Sequence, residues 1–361
     1  MTVDILKLKD FRNYESCDIN FSGGINLLYG ANGQGKTNIL EALYMSATTR
    51  SHRGNRDKEL IRFSCDEAHI KTQVERIGVK KTVDIHLKSS RPKGIAVNRV
   101  HIRRSVDLFG VLNTVIFAPE DLDIIKNGPD QRRRFMDMEL CQLDRVYLSD
   151  LTNYNKVLKN RSKLLKNMYK DRFLIDTLDV WDDQLVTYGS NIIKRRESFI
   201  SELSGFFEEK YYNISGLKER ISIKYEPNVS IETFCDELKR TRERDIRFEQ
   251  NHVGPHRDDI SFFVEDADLR KFGSQGQKRS AALSLKLSEV ELVKSKVHDS
   301  PVLLLDDVLS ELDPVRQLHL LKEINGIQTV MTCPDISDIN KNNFLIDKIF
   351  LVNSGTVTED M

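Results

Sequence analysis

The chain has 361 residues, 39% of them hydrophobic and 30% charged, which excludes a disordered or fibrous protein and leaves room for more than one compact domain. Lys and Arg together number 55 and Asp and Glu 55, so no net field draws the chain to nucleic acid and any polyanion site must be a local patch. The five scattered cysteines form no C-x-x-C pair, which argues against a disulfide frame or a cysteine zinc site, and no stretch approaches the 18 apolar residues of a membrane helix. MTVDILKLKD also lacks an apolar signal core, so a reduced, cytoplasmic protein with no membrane partner is expected.

Val3, Ile5, Leu6 and Leu8, then Cys17, Ile19 and Phe21, predict a β-hairpin that turns at Asp10–Tyr14 and feeds a strand at Ile25–Tyr29. Arg12 and Asn13 at the hairpin end either lie over a nucleotide or form an ordinary exposed turn. Gly30 to Thr37, GANGQGKT, then fits G-x-x-x-x-G-K-T in full, between that strand and the helix-like run Asn38–Leu43. Gly30, Gly33 and Gly35 lack a Cβ, so the loop they make with Ala31, Asn32 and Gln34 can bring backbone amides close to phosphate oxygens. The helix that follows aims its free N–H groups at the same place. Lys36 is expected to reach the β- and γ-phosphates and Thr37 to ligate Mg²⁺.

Residues 60–117 alternate in short runs, the last at Val111–Phe117, and predict a β-meander beside the nucleotide. Its Lys80, Lys81, Arg91, Lys93, Arg99, Arg103 and Arg104 suit either a phosphate-contacting face or a sheet edge blunted by charge. From Asp130 to about Gly205 the pattern is helical, opened by Arg132-Arg133-Arg134, with a second helix at about Val180–Glu209 returning antiparallel. Lys156 to Arg172 holds seven basic residues against Asp171 alone, which fits a DNA backbone or a solvated helix face. Residues 211–225 read as a strand and 230–249 as a charged helix.

A strand returns at Ile260–Val264. Ser274, Gln275, Gly276 and Gln277 form a polar turn opening a helix, which as a lone tetrapeptide is a helix cap. Pro301–Asp307 is an unbroken apolar strand, covered on both faces, that ends in two carboxylates. Asp306 is placed to hold Mg²⁺ beside Thr37, and Asp307 to accept a proton from the attacking water. Lys36 and Asp306 stand 270 residues apart, so a large insertion splits the nucleotide fold. A helix at Pro314–Ile324 and strands at Gln328–Met331 and Lys348–Val352 close the chain. GTPase chemistry fits worse, because no N-K-x-D reader exists and Asp306 is followed by Asp307-Val308-Leu309 without a glycine.

The order P-loop, Ser274–Gln277, strand-Asp-Asp resembles the ABC-type ATPases, whose signature serine contacts the γ-phosphate held by a second subunit. Ser310-Glu311-Leu312-Asp313 resembles their D-loop. Asp10–Tyr14, Ser51-His52-Arg53, Ala118–Leu122, Arg132–Phe135 and Gly254–Asp259 complete, in order along the chain, a resemblance to the RecF family of bacterial recombination mediators, which are related to SMC proteins. The resemblance implies an α/β ABC/SMC-type P-loop ATPase head at 1–120 and 250–361, split by an inserted α-helical, basic arm at 121–249. It implies two ATP molecules with Mg²⁺ sandwiched in a homodimer, each P-loop facing Ser274 of the other copy. It further implies weak, DNA-stimulated ATP hydrolysis that resets the dimer, binding to gapped or junction DNA, work with RecO and RecR to load recombinase, and a place in recombinational repair, replication restart and the SOS response. Asp307 stands where many ABC proteins carry glutamate, and Thr332 where transporters place a switch histidine. An ABC-type subunit driving a membrane transporter, and a structural protein holding ATP only as a ligand, are the alternatives.

Overall fold

Alternate side chains of the N-terminal strands are buried, the period that turns one face of a sheet inward. The computed structural model describes residues 1–54, 56–104, 107–167, 177–216, 219–335 and 345–360. β1 (Thr2–Phe11) and β2 (Tyr14–Asn20) form the expected hairpin, β3 (Ile25–Tyr29) enters the glycine loop, and α1 (Lys36–Thr48) leaves it. β4 (Glu67–Arg76), β5 (Val79–Lys88), β6 (Gly94–Val97) and β7 (Val100–Ile102) join the hairpin in an antiparallel sheet ordered β2-β1-β4-β5-β6-β7. Leu8, Ile70, Ile85 and Ile95 face one another across it and are buried.

β8 (Thr114–Phe117) departs from expectation, because it does not belong to this meander. All four of its residues are buried, the mark of a strand covered on both faces rather than of an alternating one. It lies in the second large sheet, described below.

The chain divides into two compact units, the first made of Met1–Asp121, Asn213–Gly216 and Ala282–Met361, the second of Leu122–Tyr212 and Leu217–Ala281. The second unit therefore extends past the arm boundary expected at residue 249 and includes Ser274–Gln277. It begins with α2 (Leu122–Lys126), α3 (Pro129–Leu143) and α4 (Arg145–Asn167). The helical run breaks at Asp144, whose carboxylate accepts hydrogen bonds from the backbone N–H groups of Val146 at 2.7 Å and Tyr147 at 3.1 Å and so caps α4. α5 (Leu178–Ser215) runs on through part of the expected strand at 211–225. Leu203, Phe207, Tyr211 and Ile214 recur at helical spacing and are buried, so the apolar face continues and β9 begins only at Ile221, ending at Glu226. α6 (Phe234–Phe248), β10 (Asp259–Val264), β11 (Ala267–Asp268), α7 (Leu269–Phe272) and α8 (Gln275–Val297) follow, with β10 between β9 and β11.

The first unit resumes along α8. β12 (Val302–Leu305), α9 (Pro314–Glu323), β13 (Thr329–Cys333), β14 (Lys348–Asn353) and β15 (Thr356–Asp360) complete it. The second sheet is ordered β15-β14-β3-β13-β12-β8, with every pair parallel except β14–β15. Among the described residues no helix is long and apolar enough to cross a membrane.

Arg161 sits at the centre of the second unit, 0% exposed. Its Nε donates to Asp182 and its Nη1 to Asp245, each at 2.7 Å, and Nη1 also reaches Asn251 at 2.6 Å. Removing a partner from a buried pair strands the opposite charge, so Arg161→Ala is expected to cost about 3–5 kcal/mol. Urea unfolding measures this, and a loss below about 1 kcal/mol, the ceiling for an exposed pair, would refute the assigned role.

Candidate functional site

The glycine loop is shaped by positions that only glycine fills comfortably. Gly30 has φ +145° and Gly35 φ +119°. A Cβ on Gly30 would lie 2.3 Å from the Val352 carbonyl oxygen, and one on Gly35 2.7 Å from both Asn13 Nδ2 and the Tyr14 hydroxyl. The Val352 carbonyl is backbone and cannot give way, and the positive φ at both positions strains any residue with a Cβ. The Lys36 ammonium lies back over the loop and donates to the carbonyls of Gly30 and Ala31, the latter at 3.0 Å. Burial lowers its pKa, against the opposing pull of Asp307, Cys333 and Asp306.

Opposite the loop stands a chain of short polar contacts. Thr37 Oγ1 and Thr332 Oγ1 both donate to Asp306 Oδ1, at 2.9 and 2.8 Å. The Asp307 backbone N–H donates to Thr332 Oγ1 at 2.9 Å. Ser310 Oγ donates to the Asp307 carbonyl and carboxylate, each at 2.8 Å. Strand order explains the meeting: β13 lies between β3 and β12, so Thr332 falls between the loop strand and the carboxylate strand. Burial raises the Asp306 pKa while the Thr332 and Thr37 hydrogen bonds pull it down. A buried carboxylate beside a hydroxyl is an oxygen donor set that suits Mg²⁺.

Between loop and carboxylates lies a cavity of about 330 Å³. Asn32, Gly33, Lys36 and Thr37 line one side, and Asp306, Asp307 and Thr332 line another. A Cβ on Gly33 would meet nothing within 4 Å, so the loop crest is open. Arg53, Pro119 and Glu120 also line it, and nothing in their spacing assigns them a role. Pro119 and Glu120 follow β8, whose place beside β12 brings them there. The signal lies in Thr114–Phe117, where three apolar residues follow a threonine without alternation.

Arg12 and Asn13, expected over the nucleotide, are not in the cavity lining. The Arg12 guanidinium grips Glu41 with Nε at 2.8 Å and Nη2 at 2.9 Å. Glu41 is 0% exposed and also accepts from the Ser51 hydroxyl. Burial alone would push the Glu41 carboxyl up, but the hydrogen bonds from Arg12 and Ser51 together hold it below its ordinary 4.5. Asn13 Nδ2 donates to the Gln34 carbonyl at 2.8 Å and the Tyr14 hydroxyl to the Gly35 carbonyl at 3.0 Å. Gln34 Oε1 accepts from the Ser354 backbone N–H at 2.7 Å. The hairpin end and the β14–β15 turn thus brace the loop from outside.

Ser274–Gln277 open α8 in the second unit as a reciprocal cap. Ser274 Oγ accepts from the Gln277 N–H at 3.1 Å, and Gln277 Oε1 accepts from the Ser274 N–H at 2.8 Å. The basic run on α4 divides. Lys156, Lys159, Lys163 and Lys166 are exposed at spacings of three and four, one stripe about 15 Å long at 1.5 Å per residue. Arg161 is buried and unavailable to a partner, and Lys170, Asp171 and Arg172 lie outside the described residues. Arg132 is also buried, bonded to Asp259 through Nε at 2.5 Å. On the meander, Lys80 pairs with Asp4 at 2.8 Å, Lys93 with Asp57 at 2.9 Å and Arg104 with Asp107 at 3.3 Å.

The family model described as "RecF/RecN/SMC N terminal domain" matches residues 2–333. A protein of Lachnospira eligens named "DNA replication and repair protein RecF" is 52% identical over 362 residues, covering 100% of both chains. The chain is also similar to two solved structures, "Structure of the recombination mediator protein RecF-ATPrS in RecFOR pathway" and its RecF-ATP counterpart. Each has a TM-score of 0.93 and 34% identity; they cover 100% and 99% of this chain and 98% and 97% of their own.

Replacing Arg12 by Ala leaves Glu41 buried without its partner, at an expected cost of about 3 kcal/mol at pH 7. A carboxylate with a lowered pKa stabilises the fold above its unfolded value and loses that contribution as pH falls through its folded value. The stability gap between wild type and Arg12→Ala should therefore be full at pH 7 and shrink as acid first protonates Glu41 in the variant, above 4.5, and then in wild type, below it. Urea titrations at several pH values check this; a gap independent of pH contradicts it.

Proposed function

The chain belongs to the RecF family, within the RecF/RecN/SMC group, and from that premise we propose that it is an ATP-dependent DNA-binding clamp for replication and recombinational repair. The observation that carries the reading is the contact chain Thr37–Asp306–Thr332–Asp307 along the cavity that Lys36 also lines.

Lys36 would exchange the Gly30 and Ala31 carbonyls for β- and γ-phosphate oxygens of ATP. Thr37 and Asp306 would hold Mg²⁺, which when bound neutralises charge on those oxygens. Asp307 then serves as the acceptor for the proton of the attacking water. Thr332 cannot take that role, since its hydroxyl already donates to Asp306 and accepts from Asp307, and it is assigned to positioning both. Ser274 is assigned to the γ-phosphate of a second copy, so two ATP molecules join a homodimer. Slow hydrolysis, stimulated by DNA, would reset it. Loading of recombinase at single-strand gaps with RecO and RecR, and a part in the SOS response, follow from the same reading. The exposed lysine stripe on α4 supports contact with a nucleic-acid backbone.

Sedimentation of the Asp307→Asn variant with ATP, with and without a short gapped duplex, tests the clamp. A stable dimer retaining DNA is expected. Ser274→Arg should keep nucleotide binding and stay monomeric, whereas Lys36→Met should weaken nucleotide binding about a hundredfold or more through loss of charged hydrogen bonds. A wild-type chain that remains monomeric in saturating Mg-ATP sinks the proposal.

The lysine stripe yields its own test. Lys159→Glu with Lys163→Glu should weaken binding to every DNA sequence alike and reduce the slope of log K against log salt by about two. Unchanged affinity and slope, read by fluorescence anisotropy, would remove α4 from the DNA face.

A further inference from the structure

β4 and β5 carry a cluster of ligand-type side chains that the nucleotide site does not use. In their antiparallel register His69 stands directly opposite His86, and Glu67 opposite Lys88. Positions two apart on one strand, and opposite each other across strands, share a face, so all four side chains project together. The two imidazoles stack with centroids 3.8 Å apart and planes at 24°. His86 Nε2 lies 2.6 Å from Glu67 Oε2. One ligand atom from each of Glu67, His69 and His86 lies within 4.8 Å of the other two.

The backbone holds these positions rigidly, because β4 and β5 are paired over the full length of both strands. The face stays open to solvent. Gly94 pairs with His86 on the next strand, and a Cβ there would lie 3.5 Å from His101 Cε1 and 4.0 Å from His86 Cβ. Glycine thus leaves room beside the cluster, with another imidazole at its border. The χ2 torsion of histidine is broad, so both rings are free to reorient about it, and the three ligand atoms lie within 4.8 Å of one another.

We propose that Glu67, His69 and His86 form a surface site for a divalent transition-metal ion, zinc by the chemistry of the donors, which ties β4 to β5. Two imidazole nitrogens and one carboxylate oxygen are a three-ligand zinc set that leaves a fourth position to water. Lys88 is the built-in competitor, donating to Glu67 Oε1 at 2.8 Å. It must release the carboxylate when the ion enters, and its positive charge opposes entry.

The test is calorimetric titration of the full chain with zinc chloride in excess Mg²⁺, which occupies oxygen-only sites, together with the visible spectrum of the cobalt(II) form. One ion per chain is expected. His69→Thr and His86→Thr, which keep a strand-forming residue, should each weaken binding by more than about tenfold, since loss of an outer-shell partner alone costs that much. Lys88→Met should tighten it, a direction no unrelated site would follow. The cobalt spectrum should lack thiolate charge transfer. Wild-type affinity in both threonine variants overturns the site, as does a metal lost on alkylation of the cysteines. Should the threonine variants fail to fold, Lys88→Met decides: affinity unchanged or weakened overturns the proposal.

Discussion

The hydrogen bond from Thr37 to Asp306 joins residues 269 positions apart, and the arrangement of the first unit serves to make it possible. Neither local sequence nor a short turn brings these groups together. Their meeting requires β3, β13 and β12 to lie side by side and parallel, so that the ends of all three strands open on one cavity. The chain leaves this sheet after β8 and re-enters it at β12, yet the two strands are direct neighbours, with Thr114 opposite Val302. A long insertion between adjacent parallel strands therefore leaves the sheet intact. It costs only loop-closure entropy, which grows slowly with length.

Buried charge is the second constraint, and along Lys156–Lys166 the basic residues divide by type. Arg132, Arg161 and Arg196 are buried, each with carboxylate partners. Arg196 reaches Asp258, Asp137, the Pro255 carbonyl and the Tyr147 hydroxyl at 2.7 to 3.0 Å. A guanidinium has five donors in a rigid fork and is weakly hydrated, so it can be enclosed where carboxylates meet the fork, even though among the described residues the Nη2 of Arg161 finds no acceptor. The lysines of α4 present compact, strongly hydrated charges and remain outside. A count of basic residues along Lys156–Arg172 mixes a core strut with a surface stripe, and only the stripe bears on a polyanion.

The parts of the fold legible in the sequence were those with strong local grammar. The hairpin, the glycine loop and the apolar strand before Asp306 each carry a pattern that one physical cause produces. β8 is not legible alone because a threonine and three apolar residues satisfy either a meander or a buried parallel strand, and only the partner strand decides. Tyr211 and Ile214 read as strand because a short window of an amphipathic helix can mimic alternation. At the site, Lys36, Thr37, Asp306 and Asp307 could be named from spacing, whereas Arg53 and Glu120 lie in Ser51-His52-Arg53 and Ala118–Leu122, segments that carry the family resemblance but no chemistry readable from their own spacing. Arg12 shows the reverse failure. Its position was legible, but its direction was set by Glu41, an inward-facing residue of α1 that no periodicity marks as an ion partner.

The identity of Asp307 itself has a backbone explanation. Its φ is +52°, in the left-handed region where side chains with a Cβ are strained. Aspartate and asparagine are the charged and polar residues that enter this region most readily, because their short side chains bond locally. Here the local bonds are present: the Asp307 N–H is held by Thr332, and its carbonyl and carboxylate by Ser310. A glutamate can enter this region, as Glu249 and Glu265 do at φ +54° and +47°, but its carboxylate would stand one methylene farther from the Ser310 hydroxyl. The strand end after Asp306 thus couples two demands, a tight reversal and a carboxylate facing the cavity, and aspartate meets both. On this view Asp307 and Thr332 are one device, in which the hydroxyl on β13 fixes the turn that aims the carboxylate.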